Sequence, residues 1–134
     1  MSTTRDNIIY KARDFLDRLK SGYTREKEIT KRLGSIMSNT ARIIGYKISY
    51  DPEFKNLERP QMKQEIKKLL ISEMINQRAF EKVHNKREPL RVAEKLSQDI
   101  INEFLSKWSP EDSKFFMSAL CMIHETREKG IKVL

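Results

Sequence analysis

The chain has 134 residues, of which 34% are charged and 38% apolar, and its formal net charge is +8. That length holds one domain with a core of its own. A single cysteine, Cys121, excludes an internal disulfide, and no apolar run approaches the roughly 18 residues that a membrane span needs.

The N-terminus lacks the apolar stretch of a signal peptide. No Cys/His cluster has zinc spacing, and no glycine-rich loop is built to cradle phosphate. These features predict a soluble, intracellular protein with no membrane segment, metal or cofactor. Glycine and proline number only four each. Long unbranched side chains are abundant, and they lose little rotamer freedom in a helix. The expected fold is all-α, a compact bundle of five or six helices in one domain over 1–134. It is open to subdivision into a basic N-terminal unit, 1–50, and a C-terminal helical bundle, 60–134.

In chain order, the first helix is expected from Thr4 to Lys20, capped by Thr3 or Thr4 and ended by Ser21-Gly22. Ile8, Ala12, Phe15, Leu16 and Leu19 form its apolar face. Thr24 offers a cap for a second helix that buries Ile29 and Leu33. Gly34 then allows two readings: a turn before a short third helix, Met37 to Ile44, or the interior of one longer helix. Residues 46–60 read as a connector. Tyr46 to Tyr50 alternates like a short strand or a small β-wing, or extends the preceding helix. Asp51-Pro52 and Arg59-Pro60 interrupt the backbone.

A long helix is expected from Gln61 to Val83, with Met62, Ile66, Leu69, Leu70, Met74 and Phe80 as its stripe. After a polar break at Asn85–Pro89, another runs to Lys107 with Ala93, Leu96, Ile100, Phe104 and Trp108 on one face. Ser109-Pro110-Glu111-Asp112 is the clearest start signal: a capping hydroxyl, a proline at the first helical position and two carboxylates at the positive end of the dipole. Phe116, Ala119, Leu120 and Ile123 continue that last helix, and Gly130 closes it. The tail 131–134 is apolar and, with the methionine-rich C-terminal helices, offers a homodimer or helical-partner contact.

The positive charge is uneven. Residues 1–50 carry 11 basic and 5 acidic side chains, and residues 51–134 carry 16 and 14. A localised positive field favours polyanions, chiefly nucleic acid. A second basic cluster, from Arg78 through Lys82, His84, Lys86 and Arg87 to Arg91 and Lys95, surrounds a helix connection and offers either a backbone grip or a solvated loop. Tyr46 and Tyr50, beside Lys47, are the one pair of aromatics placed to stack on bases. His84 and His124 have no nucleophile or metal motif around them, so no enzymatic activity is expected.

Residues 28–44 resemble the helix-turn-helix of DNA-binding regulators. Ile29, Thr30, Leu33 and Gly34 match its first half, and Ser38, Asn39, Ala41, Arg42 and Ile43 match a recognition helix. Ser35 and Thr40 stand where that family carries aliphatic residues. The resemblance implies a DNA-binding protein, with RNA as the alternative polyanion. Ser38, Asn39 and Arg42 would face base edges, and Lys31, Arg32 and Lys47 would meet phosphates. The competing reading is a non-enzymatic helical adaptor or structural subunit of a larger protein or nucleoprotein assembly.

Overall fold

A computed structural model describes residues 4–19, 22–105 and 107–130, together with the backbone but not the side chains of Thr4, Phe104 and Glu128. The described residues form six α-helices and no strand: α1 (Thr4–Leu19), α2 (Lys27–Tyr50), α3 (Pro52–Lys55), α4 (Arg59–Asn76), α5 (Glu88–Ile100) and α6 (Pro110–Glu128). A π-helical turn, Ile101–Leu105, continues α5. The expectations for Thr3, for Ser21, for the Phe104 side chain and for the tail 131–134 lie outside the described residues.

The largest departure from the sequence reading is α2. It runs without interruption for 24 residues and takes in both Gly34 and Gly45. Of the two readings open at Gly34, the structure has the single longer helix, and the separate helix from Met37 to Ile44 is absent. Tyr46–Tyr50 extends the helix rather than forming a strand or wing. Isolated glycines cost a helix about 1 kcal/mol each, and here tertiary packing outweighs that cost. Ile29, Leu33, Ile36, Met37, Ala41, Ile44 and Ile48 are all buried and recur at helical spacing across both glycines.

Thr24 does not cap α2 directly. Its hydroxyl accepts from the Glu26 amide at 3.0 Å, tightening the turn that leads into the helix. At the other end Asp51 accepts from the amides of Glu53 and Phe54 at 3.0 and 3.3 Å and starts the one-turn α3. The Asp51-Pro52 and Arg59-Pro60 breaks fall where the sequence places them.

Helix α4 ends at Asn76, seven residues before the expected Val83. Arg78 takes a left-handed conformation, φ 60°. The Ala79 amide then donates to Met74 O at 2.8 Å, and the Arg78 amide to Ile75 O at 3.0 Å. This is the Schellman stop, which satisfies carbonyls at a helix end. Ala79 and Val83 stay buried, so the following loop is anchored by the apolar residues that suggested a longer helix. The fifth expected helix likewise divides at Ile101 into α5 and the π turn. The start of α6 is as read, with Ser109 Oγ accepting from the Asp112 amide at 3.2 Å.

Helices α2 and α6 pack antiparallel along most of their lengths: Gly34 lies by His124, and Tyr50 by Lys114. α1 covers one side of α6, while α4 joins α2 to α5. Buried apolar residues from Ile8 to Ile123 form one cluster. At its heart Phe116 meets Phe15 edge-on at 6.1 Å and Trp108 at 5.5 Å.

Candidate nucleic-acid interface

Packing on several sides leaves α2 a narrow outward stripe. At 100° per residue, Lys31, Ser35, Asn39, Arg42, Tyr46 and Tyr50 fall on one side of the helix. The stripe spans about 28 Å from Lys31 to Tyr50 at 1.5 Å per residue. Lys31, Arg42, Tyr46 and Tyr50 are exposed, and Ser35 and Asn39 are half-buried.

The six residues singled out from the sequence have different surroundings. Lys31 is exposed and forms no ion pair among the described residues. Arg32 is paired with Glu28 one turn earlier, and that contact holds the Glu28 carboxyl below its ordinary range. Ser38 is buried and donates to Cys121 Sγ at 3.4 Å, so its hydroxyl lies inside the α2–α6 contact. Asn39 donates to Glu73 Oε2 at 3.1 Å, tying α2 to α4. Its carbonyl accepts from Arg42 at 2.8 Å. Arg42 is thereby steered along the helix surface with its charge unmatched by a carboxylate among the described residues. Lys47 lies 3.9 Å from Asp51. The structure thus brings Lys31, Asn39 and Arg42 onto one stripe and turns Ser38 inward.

Beside the Arg42–Tyr50 half of the stripe, α6 forms the opposite wall of a groove of about 330 Å³. Tyr46 and Tyr50 stand on its rim with ring centroids 5.1 Å apart and planes inclined at 49°. Lys114 Nζ lies 5.9 Å from the Tyr50 ring centre. Met122 is exposed on the α6 wall, and Glu125 is the acidic residue at the Arg42 end. The antiparallel neighbour is what sequence reasoning missed. Lys114, Ser118 and Met122 follow four-residue spacing on α6, but only the packing shows that they face Tyr50 and Tyr46.

Several cations elsewhere are paired with carboxylates. Glu94 accepts from Lys63 and, at 3.0 Å, from Lys67. Arg91 pairs with Glu88 at 2.6 Å, Arg127 with Asp17 at 2.9 Å and Arg18 with Glu103 at 2.8 Å. Arg18 and Glu103 form a two-pronged contact that links α1 to the π turn and lowers the Glu103 carboxyl below its ordinary range. Tyr23 donates to Asp99 Oδ2 at 2.8 Å, and burial with that bond pushes its phenol up. From the second basic cluster, Arg91 also donates to Tyr23 O at 2.9 Å. That part of the cluster fastens the loop before α2 to α5.

No protein-family model, no curated protein and no solved structure matches this chain.

Proposed function

We propose that this protein binds nucleic acid through the outward stripe of α2. The observation that carries the reading is the alignment of exposed, unpaired cations along one helix. Lys27, Lys31 and Arg42 are exposed and form no ion pair among the described residues, and Arg42 shares its stripe of the helix with the exposed Tyr46 and Tyr50. An array of unmatched cations along one helix suits a polyanion, because each phosphate contact releases a condensed counterion. Lys31 and Arg42 meet phosphates in this reading. Asn39 holds Arg42 in place, and Arg32 and Lys47, already paired, contribute less.

The partner class is DNA or RNA, since both present the phosphate chain. The inward Ser38 and the unbroken helix argue for contact along the side of α2, rather than insertion of a separate recognition helix. The test is fluorescence anisotropy with labelled random-sequence duplex DNA, single-stranded DNA and RNA, comparing the native chain with Lys31→Glu/Arg42→Glu. Binding to at least one probe that the double variant abolishes supports the reading. Absence of binding to all three overturns it and favours the helical adaptor, whose partner is a protein.

A further inference from the structure

Resting on that reading, we infer that the α2–α6 groove takes a single strand, with bases stacked on Tyr46 and Tyr50 and the sugar-phosphate chain running past Arg42 and Lys114. Four features of the site converge on this occupant. First, the two tyrosines are 66% and 69% exposed, a heavy solvation of large rings for a helix that is otherwise well buried. They are one helical turn apart on the same edge, their rings 5.1 Å from each other, so they offer neighbouring aromatic faces at the mouth of the groove.

Second, cations flank the rings. Arg42 stands one turn before Tyr46 on α2, and Lys114 of α6 lies against the Tyr50 ring. A single strand presents bases and phosphates side by side, and the groove presents rings and cations side by side. Glu125 confines the favourable stretch to the side of Arg42 that leads to Tyr50.

Third, the backbone of α2 is unsuited to reading a duplex from within. A helix enters the major groove by projecting from its domain. α2 instead lies against α6 and α4, with ten residues buried along its length. In a duplex the base faces are also covered by their neighbours, leaving the tyrosines nothing to stack on.

Fourth, the groove is built into the fold. Gly45 and Ala41 form its α2 side, and the small Ser118 and Cys121 lie opposite on α6. Small residues at these positions leave the recess open beside the rings.

The experiment titrates fluorescein-labelled oligothymidylate and oligouridylate of about 15 nucleotides, together with a duplex of equal length, long enough to span the groove and the rest of the stripe. It uses the full chain, Tyr46→Ala/Tyr50→Ala and Tyr46→Phe/Tyr50→Phe. Circular dichroism checks folding, and both positions are exposed enough to accept either change. The expected result is tighter binding to the single strands than to the duplex, an affinity loss of about tenfold or more in the alanine variant, and retention in the phenylalanine variant. The two single-stranded probes separate DNA from RNA. Undiminished binding by the alanine variant overturns the stacking site, as does tighter binding to the duplex. In either case a loss of binding in Lys31→Glu/Arg42→Glu still upholds the broader reading. No binding by any form overturns both.

Discussion

The His124 imidazole lies so close to Gly34 that a Cβ at position 34 would stand 2.6 Å from His124 Cε1 and 2.7 Å from Nδ1. The ring is held there by a hydrogen bond between its Nε2 and Ser35 Oγ, 3.2 Å. This contact gives a physical account of the glycine that interrupts the α2 sequence. It makes room for a side chain from the antiparallel helix rather than for a turn.

Gly34→Ala therefore lowers stability by about 1–3 kcal/mol through overpacking, although alanine is the better helix former. In a His124→Ala background the same substitution changes sign and stabilises by up to about 1 kcal/mol. Urea denaturation of the four proteins of this cycle measures the reversal. Additive effects would mean that the His124 contact is not what selects glycine.

Gly45 is a contrasting case. A Cβ there would meet Met117 Cβ at 3.8 Å, an ordinary contact distance. Gly45→Ala is expected to stabilise the fold by about 0.5–1 kcal/mol, because it removes backbone freedom from the unfolded chain. The readout is a higher melting temperature than the native chain.

Much of the fold is legible in the sequence for a plain reason: its apolar residues recur at helical spacing over long stretches. Ile8, Ala12, Phe15, Leu16 and Leu19 are all buried, as the pattern requires. Ser109-Pro110 starts α6 because a hydroxyl cap and a proline at the first position act locally. The points left open or misread depend on distant residues or on unusual backbone. Gly34 is indistinguishable from a turn glycine until His124 is placed beside it. The α4 stop at Arg78 uses a residue type that rarely takes a positive φ, so the usual glycine signal is missing. Tyr46 and Tyr50 stand out as a pair in the sequence, but Lys114 joins them only through the α2–α6 packing.

Arg78 itself offers a stabilising substitution. Its left-handed backbone costs a side-chain-bearing residue about 1–2 kcal/mol, which glycine avoids. Arg78→Gly should raise stability by about 1 kcal/mol, since glycine recovers only part of that cost against its greater unfolded-state entropy. Chemical denaturation decides it, and a loss of stability would show that the Arg78 side chain contributes more than its backbone costs.

Glu88 links stability to pH. Hydrogen bonds from Arg91 and Thr24 pull its carboxyl from the usual 4.5 down to about 2. A carboxylate whose folded value is depressed stabilises the fold fully above its unfolded value. That contribution fades as pH falls from about 4.5 towards 2. The pair is partly exposed, so the contribution is about 1 kcal/mol. Glu88→Gln should be less stable than the native chain at neutral pH, and the difference should shrink across that acid window. A difference independent of pH would contradict this assignment.

The most direct test of the central claim, that unmatched cations on the outward face of α2 hold phosphates, is the salt dependence of nucleic-acid affinity. Anisotropy titrations between about 50 and 200 mM salt give the slope of log K against log salt for the native chain and for Lys31→Ala/Arg42→Ala. The account predicts a negative slope for the native chain that becomes shallower by about two in the variant, about one for each phosphate contact removed. Equal slopes in the two proteins would place the phosphate contacts elsewhere and contradict it.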